Sequence, residues 1–100
     1  MILEHADLRI HPGQNAAFEA AITQAAHTII TKAAGFQSFT IHKGIESPER
    51  YVLQIVWNTL EDHTVGFRQS ELFTQWRGIV GPFFAAPPVV EHFAWLAKSE

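Results

Sequence analysis

The chain contains no cysteine. That absence excludes a disulfide scaffold, a thiolate zinc or iron–sulfur site, and a cysteine nucleophile. No apolar run reaches 18 residues, so no segment reads as a membrane-crossing helix and no membrane partner is expected. The opening MILEHADLRIH lacks a basic start and an apolar stretch, so no signal peptide is expected and the expected location is cytoplasmic. Positive charge is scarce: 7 Lys and Arg against 10 Asp and Glu leave a net charge of −3, so no field attracts nucleic acid. No G-x-G-x-x-G, P-loop, G-x-S-x-G or H-E-x-x-H motif occurs, and no cofactor or metal is expected.

Charge of either sign is also low. Charged residues make up 17% of the chain, against a usual share of about a quarter. The 100 residues are expected to form one domain over residues 1–100. Such a domain exposes roughly 16,000 Å² unfolded and about 5,700 Å² folded, so it has one modest core and a large surface. A shortage of charge on that surface points to a further buried area, most simply a contact with a second copy.

Hydropathy patterning divides the chain into elements. From Ile2 to Ile10, Ile2, Ala6, Leu8 and Ile10 alternate with His5, Asp7, Arg9 and His11, which is strand periodicity. Pro12-Gly13 ends it. From Gln14 to Ala34 the period becomes helical, with Phe18, Ile22, Ala25, Ala26, Ile29, Ile30 and Ala33 on one stripe. Gly35 stands where a helix stop belongs. Phe36 to Gly44 and Arg50 to Asn58 read as a hairpin around Ser47-Pro48. Thr59 and Asp62 resemble a capping box for a short helix from Leu60 to Phe67. Ser70 caps another helix, which Gly81-Pro82 stops, and Val89 to Leu96 reads as the last strand.

This order predicts an α+β fold of the ferredoxin-like split βαβ type. It has a four-stranded antiparallel sheet with helices on one face. The strand Tyr51 to Trp57 is apolar on both faces apart from Gln54, so both faces are expected to be covered. Val52 or Leu53, and Val56 or Trp57, face away from the helices. A homodimer stacked through its sheets would cover them.

Several residues offer chemistry. His63, near the start of the short helix, and His92, in the last strand, are candidate bases, because imidazole titrates near neutrality. Phe67, Phe73, Trp76, Phe83 and Phe84 suit core packing at helical spacing; they also suit an apolar cavity for a flat aromatic ligand. In the cavity reading Trp57 is its floor, Trp76 its lid, and Gly81 to Pro88 a gating loop. Arg68 and Arg77 suit either solvent or an anionic oxygen. His5, Asp7 and His11 share a strand face, but Arg9 among them opposes a cation.

The runs Trp57-Asn-Thr-Leu-Glu-Asp-His63, Phe67-Arg-Gln-Ser70 and Phe73-Thr-Gln-Trp76 resemble the antibiotic biosynthesis monooxygenase-like domain family. Val80-Gly-Pro82, Pro87-Pro88 through Phe93, and Arg9-Ile10-His11-Pro12-Gly13 followed by Phe18 extend the resemblance over nearly the whole chain. It implies a ferredoxin-like fold that pairs into a dimeric α/β barrel. Some members oxygenate polycyclic aromatic substrates with O₂ and neither metal nor flavin; others degrade haem. The haem-degrading set best matches Asp7, Phe67 and Arg77 here, and all three depart from it. For the quinone-forming branch, Trp57 and Asn58 offer pocket residue types.

The expected function is therefore a cofactor-independent monooxygenase acting on an aromatic or quinol-type small molecule. His63 and His92 are the expected catalytic residues. Trp57, Asn58, Phe67, Trp76 and Phe83 are the expected pocket. The alternatives are a non-catalytic ligand-binding or stress-associated dimer of the same fold, and a proton-transfer isomerase or cyclase.

Overall fold

The computed structural model describes residues 1–99. Four strands form one antiparallel sheet: β1 Ile2–Arg9, β2 Phe36–Lys43, β3 Arg50–Trp57 and β4 Val89–Phe93. Their spatial order is β2-β3-β1-β4. Helix α1, Asn15–Thr28, connects β1 to β2, and helix α2, Glu71–Val80, lies between β3 and β4. This is the ferredoxin-like α+β arrangement, with both helices over the same sheet face. Among the described residues no helix is long and apolar enough to cross a membrane.

The core follows from alternation on the two central strands. Ala6 and Leu8 of β1 pair across to Leu53 and Tyr51 of β3, and all four are buried under the helices. Phe18, Ile22, Ala25 and Ala26 of α1 close the layer from above. Each large side chain sequestered this way contributes roughly 1.5–3 kcal/mol. The alternatives left open on β3 resolve by parity: Leu53 and Trp57 face the core, whereas Val52 and Val56 face the open side.

Two boundaries differ from the sequence expectation. The first helix stops at Thr28, and Ile30–Lys32 continue as a tight 3₁₀ turn. A β-branched run, Thr28 to Thr31, lies at that point. The hydroxyls of Thr28 and Thr31 donate to the carbonyls of Gln24 and His27 at 2.8 and 2.6 Å, competing with further helix. The last strand ends at Phe93 rather than Leu96, because its pairing with β1 ends at Leu3.

The face away from the helices is uncovered. It carries Leu3, Val52 and Val56, together with Val89 and Phe93, which are 60% and 48% exposed. Polar His5, Gln54, Thr40 and His42 share it. The accessible surface is 6162 Å², above the roughly 5,700 Å² expected for a compact chain of this size.

Candidate functional site

The turn after β3 places the first functional side chain. The Thr59 hydroxyl accepts from the Asp62 N–H, and the Asp62 carboxylate accepts from the Thr59 N–H, both at 3.1 Å. This reciprocal box starts the segment as its spacing predicts, with Asp in place of Glu. Gly35 permits the close approach: its φ is +83°, and a Cβ there would lie 2.1 Å from an Asp62 oxygen. Past the box the chain differs from the expected α-helix. Asp62–Phe67 winds as a wider π turn, in which the Arg68 N–H donates to the His63 carbonyl at 3.2 Å. Such turns re-aim side chains and recur at functional sites. Here His63 and Phe67 are turned inward and buried.

Between the sheet and this turn lies a cavity of about 580 Å³. That is within the range of small-molecule sites. Ala6, Leu8, Leu53, Ile55 and Val90 form its sheet wall. Phe67, Phe73 and Trp76 form the helical wall, and residues 84–88 close one side. Arg68 and Arg77 bring positive charge to the lining, with the Arg77 guanidinium 5.7 Å from the centre of the Phe73 ring. The loop expected to gate access is tied in its middle. Ala85 N–H donates to the Arg9 carbonyl at 2.8 Å, and His11 N–H to the Phe83 carbonyl at 3.0 Å.

One wall of this apolar space is polar. Glu4 lines the cavity from β1 and is only 5% exposed. Its Oε1 accepts from the Trp57 indole N–H at 2.9 Å, and His63 Nε2 stands 3.3 Å from the same oxygen. His63 Nδ1 lies 2.8 Å from His92 Nε2. The imidazole of His63 also stacks on Trp57, with ring centres 5.5 Å apart and planes at 21°. Three elements therefore converge: β1 supplies Glu4, the π turn His63, and β4 His92.

Burial sets the charge states of this cluster. It pushes the Glu4 carboxyl up to about 7, against the lowering effect of the Trp57 N–H and the Arg68 charge. It pushes His63 down to about 4, helped by the Arg68 and His92 charges. His92 also moves down, first by desolvation and then by Arg68. Near neutral pH His63 is thus uncharged, so its contact with Glu4 is imidazole against carboxyl rather than an ion pair.

The residues singled out from the sequence fall into two groups. His63, Phe67 and Trp76 line the cavity. His92 stands behind His63, in contact through the ring nitrogens. Trp57 is fully buried beneath His63 and does not line the space. Asn58 differs from expectation: β3 ends at Trp57, and Asn58 turns outward to accept from Gln37 at 2.5 Å. Phe83 differs too, because the turn Gly81–Phe83 directs it onto Phe18, ring centres 5.5 Å apart, and Phe84 lines the cavity instead. On the open face, Asp7 is engaged by Arg50, Oδ2 to Nη2 at 2.7 Å. Among the described residues no three His, Asp or Glu side chains gather as a metal ion requires.

Sequence reasoning passed over Glu4. The available signal was parity. Glu4 occupies the position between Ile2 and Ala6 on the apolar side of β1, where a carboxylate breaks the row.

Comparison with known proteins agrees with this architecture. Residues 1–78 match the family model described as antibiotic biosynthesis monooxygenase. The uncharacterised protein YczJ of Bacillus subtilis (strain 168) is 40% identical over 93 residues, covering 93% of this chain and 97% of that protein. A crystal structure from Bordetella bronchiseptica, assigned to the antibiotic biosynthesis monooxygenases, superposes with a TM-score of 0.90 at 41% identity, covering 96% of this chain and 97% of that one. A variant of SnoaB, a cofactor-independent oxygenase from Streptomyces nogalater, shares the fold with a TM-score of 0.81 at 15% identity, covering 98% of this chain and 95% of that one. A sheet of this order, a matched family model and a 40% identical relative along the same length lead to one conclusion: the chain belongs to the antibiotic biosynthesis monooxygenase family.

Proposed function

We propose that the protein is a monooxygenase that oxidises an aromatic or quinol-type small molecule in the 580 Å³ cavity, using O₂ without metal or flavin. The observation that carries this reading is the Glu4–His63–His92 array on the wall of an otherwise apolar space. An apolar cavity takes a flat ring, and a titratable wall takes a phenolic proton. The anion left behind is electron-rich and reduces O₂. For a hydroquinone the balance is hydroquinone plus O₂ to hydroxyquinone plus water. One oxygen atom forms the new C–O bond, the other leaves in water, and the substrate supplies all the electrons. Membership of the family and the fold shared with a cofactor-independent oxygenase support the same reaction class.

The test is O₂ uptake by purified protein with substituted hydroquinones and aromatic polyketides. Uptake matched by hydroxyquinone formation, and reduced in His63→Ala and His92→Ala, is the expected result. Absence of uptake, with thermal stabilisation by the same compounds, replaces it with a binding-only role in the same cavity.

The open sheet face supports a second copy as partner. Exposed Val89 and Phe93, half-buried Leu3, Val52 and Val56, and a low overall charge suit a sheet-to-sheet contact. Sedimentation at micromolar concentration is expected to give a dimer; a monomer overturns the contact.

A further inference from the structure

Glu4 is an unusual residue to find on the helix side of β1. Its neighbours two and four positions on, Ala6 and Leu8, are core residues, and it is buried among apolar walls. A carboxylate in such a place is strongly disfavoured unless it is paired or protonated. No arginine or lysine forms a salt bridge with it among the described residues. The fold instead provides an indole N–H and a neutral imidazole nitrogen. The Trp57 indole donates to Oε1 at 2.9 Å, and His63 Nε2 is 3.3 Å from the same atom. Neither contact involves Oε2, and no side chain or backbone group of the described residues bonds to it.

We propose that Glu4 is the proton acceptor of the cavity: its free Oε2 takes the phenolic proton of a bound phenol or hydroquinone, while Trp57 and the His63–His92 pair fix Oε1. The assignment rests on the cavity's being the reaction site of the proposed oxygenase. In the step, the substrate O–H bond breaks, a new O–H bond forms on Oε2, and the electron pair stays on the substrate oxygen. No oxidant enters until that anion meets O₂.

The two imidazoles act as positioning residues. In the tautomer this role requires, His92 Nε2–H donates across the 2.8 Å contact to His63 Nδ1, and the single proton of neutral His63 sits on Nε2, facing Glu4. At 3.3 Å the contact is longer than an ordinary hydrogen bond, as contacts in unliganded sites often are. Stacking of His63 on Trp57 aligns both donors with one oxygen. His63 is a poor base, because burial keeps it neutral well into the acid range. Glu4, pushed up to about 7, is matched to proton transfer near neutral pH. The other charged or titratable groups about it are His63 and Arg68 from the π-turn segment, His92 from β4, and Arg77 from α2; Leu53, Ile55 and Trp57 of β3 bring none.

The probe is 4-nitrophenol, whose phenolate is yellow. Binding is followed by quenching of tryptophan fluorescence and ionisation by absorbance. Wild-type protein is expected to bind it and raise the bound phenolate fraction. Glu4→Gln is expected to bind it comparably yet leave it as phenol, and to lower kcat/KM for a hydroquinone on the order of 10²-fold or more. His63→Leu, which removes a donor from Oε1, is expected to move the pH limb of ionisation upward. Infrared titration of wild-type protein alone covers the case of a misfolded variant: a buried carboxyl is expected to titrate near 7 and to change on 4-nitrophenol binding. Equal ionisation in wild type and Glu4→Gln, failure of the wild type to bind the probe, or a carboxyl insensitive to it overturns the proposal. Glu4-dependent ionisation with no O₂ uptake from any quinol leaves the proton acceptor in place and removes the oxygenase reading.

Discussion

Two polar clusters sit on the same face of the same sheet, at opposite ends of the β1–β3 ladder. At one end Tyr51 donates to Glu19 at 2.5 Å and accepts from the Asn15 amide at 2.8 Å, and Lys43 reaches Glu19 at 3.0 Å. At the other end stand Glu4, Trp57, His63 and His92. The first cluster opens to solvent at Glu19 and Lys43, above the buried Tyr51 ring, and those two charges are favoured: Tyr51 and Lys43 hold the Glu19 carboxyl below its usual range, and Glu19 holds the Lys43 amine above its own. The second is enclosed, and its charges are disfavoured: Glu4 moves up and His63 moves down. Similar hydrogen bonds thus have opposite electrostatic outcomes, and water decides between them. The solvated cluster ties α1 to the β2–β3 hairpin, where Asn15 also donates to the Pro48 carbonyl at 2.8 Å. The enclosed one sacrifices stability for a group poised to exchange a proton.

The largest expected effect separates the clusters by pH. Folded Glu4 binds its proton more tightly than the unfolded chain does, so raising the pH from about 4.5 to about 7 removes stability. Folded His63 binds its proton more weakly, so lowering the pH from about 6.5 to about 4 also removes stability. Between about 4.5 and 6.5 the two slopes oppose each other. Glu4→Gln removes the first slope. Denaturant unfolding is expected to find the variant more stable than wild type at pH 8, by up to about 3 kcal/mol, and no more stable at pH 4. Superimposed curves at pH 8 would show that Glu4 does not bury a charge.

Next in size is Gly35→Ala. A methyl there meets the Asp62 carboxylate, and φ of +83° disfavours any side chain, so about 1–3 kcal/mol of stability is expected to be lost. The damage should reach His63 through the capping box and leave the Tyr51 cluster unmoved. NMR shifts of His63 and of the Tyr51 ring distinguish this from general loosening, which would alter both ends. Tyr51→Phe is the counterpart at the solvated end. It is expected to cost about 1 kcal/mol, evenly across pH 5–8, with O₂ uptake unchanged. A loss of uptake would join the two clusters functionally. Smallest is Glu19→Gln, an exposed change whose effect on melting temperature is expected to vanish in high salt.

Much of this contrast is visible only in part along the chain. Pro12-Gly13, the Thr59–Asp62 box and the Ser70 cap are local signals, and each marks a boundary where the structure has one. The Ser70 hydroxyl accepts from the Phe73 N–H at 3.4 Å, as a cap at that spacing should. The π turn has no such local signature, since one extra residue per turn depends on what His63 and Phe67 pack against. Phe83 and Phe84 are adjacent and chemically identical. Both rings pack edge-on against Phe18, and only Phe84, bridged to Ile10, also lines the cavity. Asn58 stands just past the last paired residue of β3, where alternation no longer predicts direction.

Strand parity, helical period and turn chemistry are short-range properties, and they suffice for four strands, two main helices and the one-sided sheet. They also leave Glu4 in plain view on an apolar row. What they do not contain is distance between segments. Glu4 and His63 are 59 positions apart, and His92 is another 29 beyond, yet the three side chains meet because β1 lies between β3 and β4. Their altered acidity comes from that meeting and from the water it excludes. A titratable group's behaviour depends on its dielectric surroundings, which are properties of the packed fold and not of any stretch of chain.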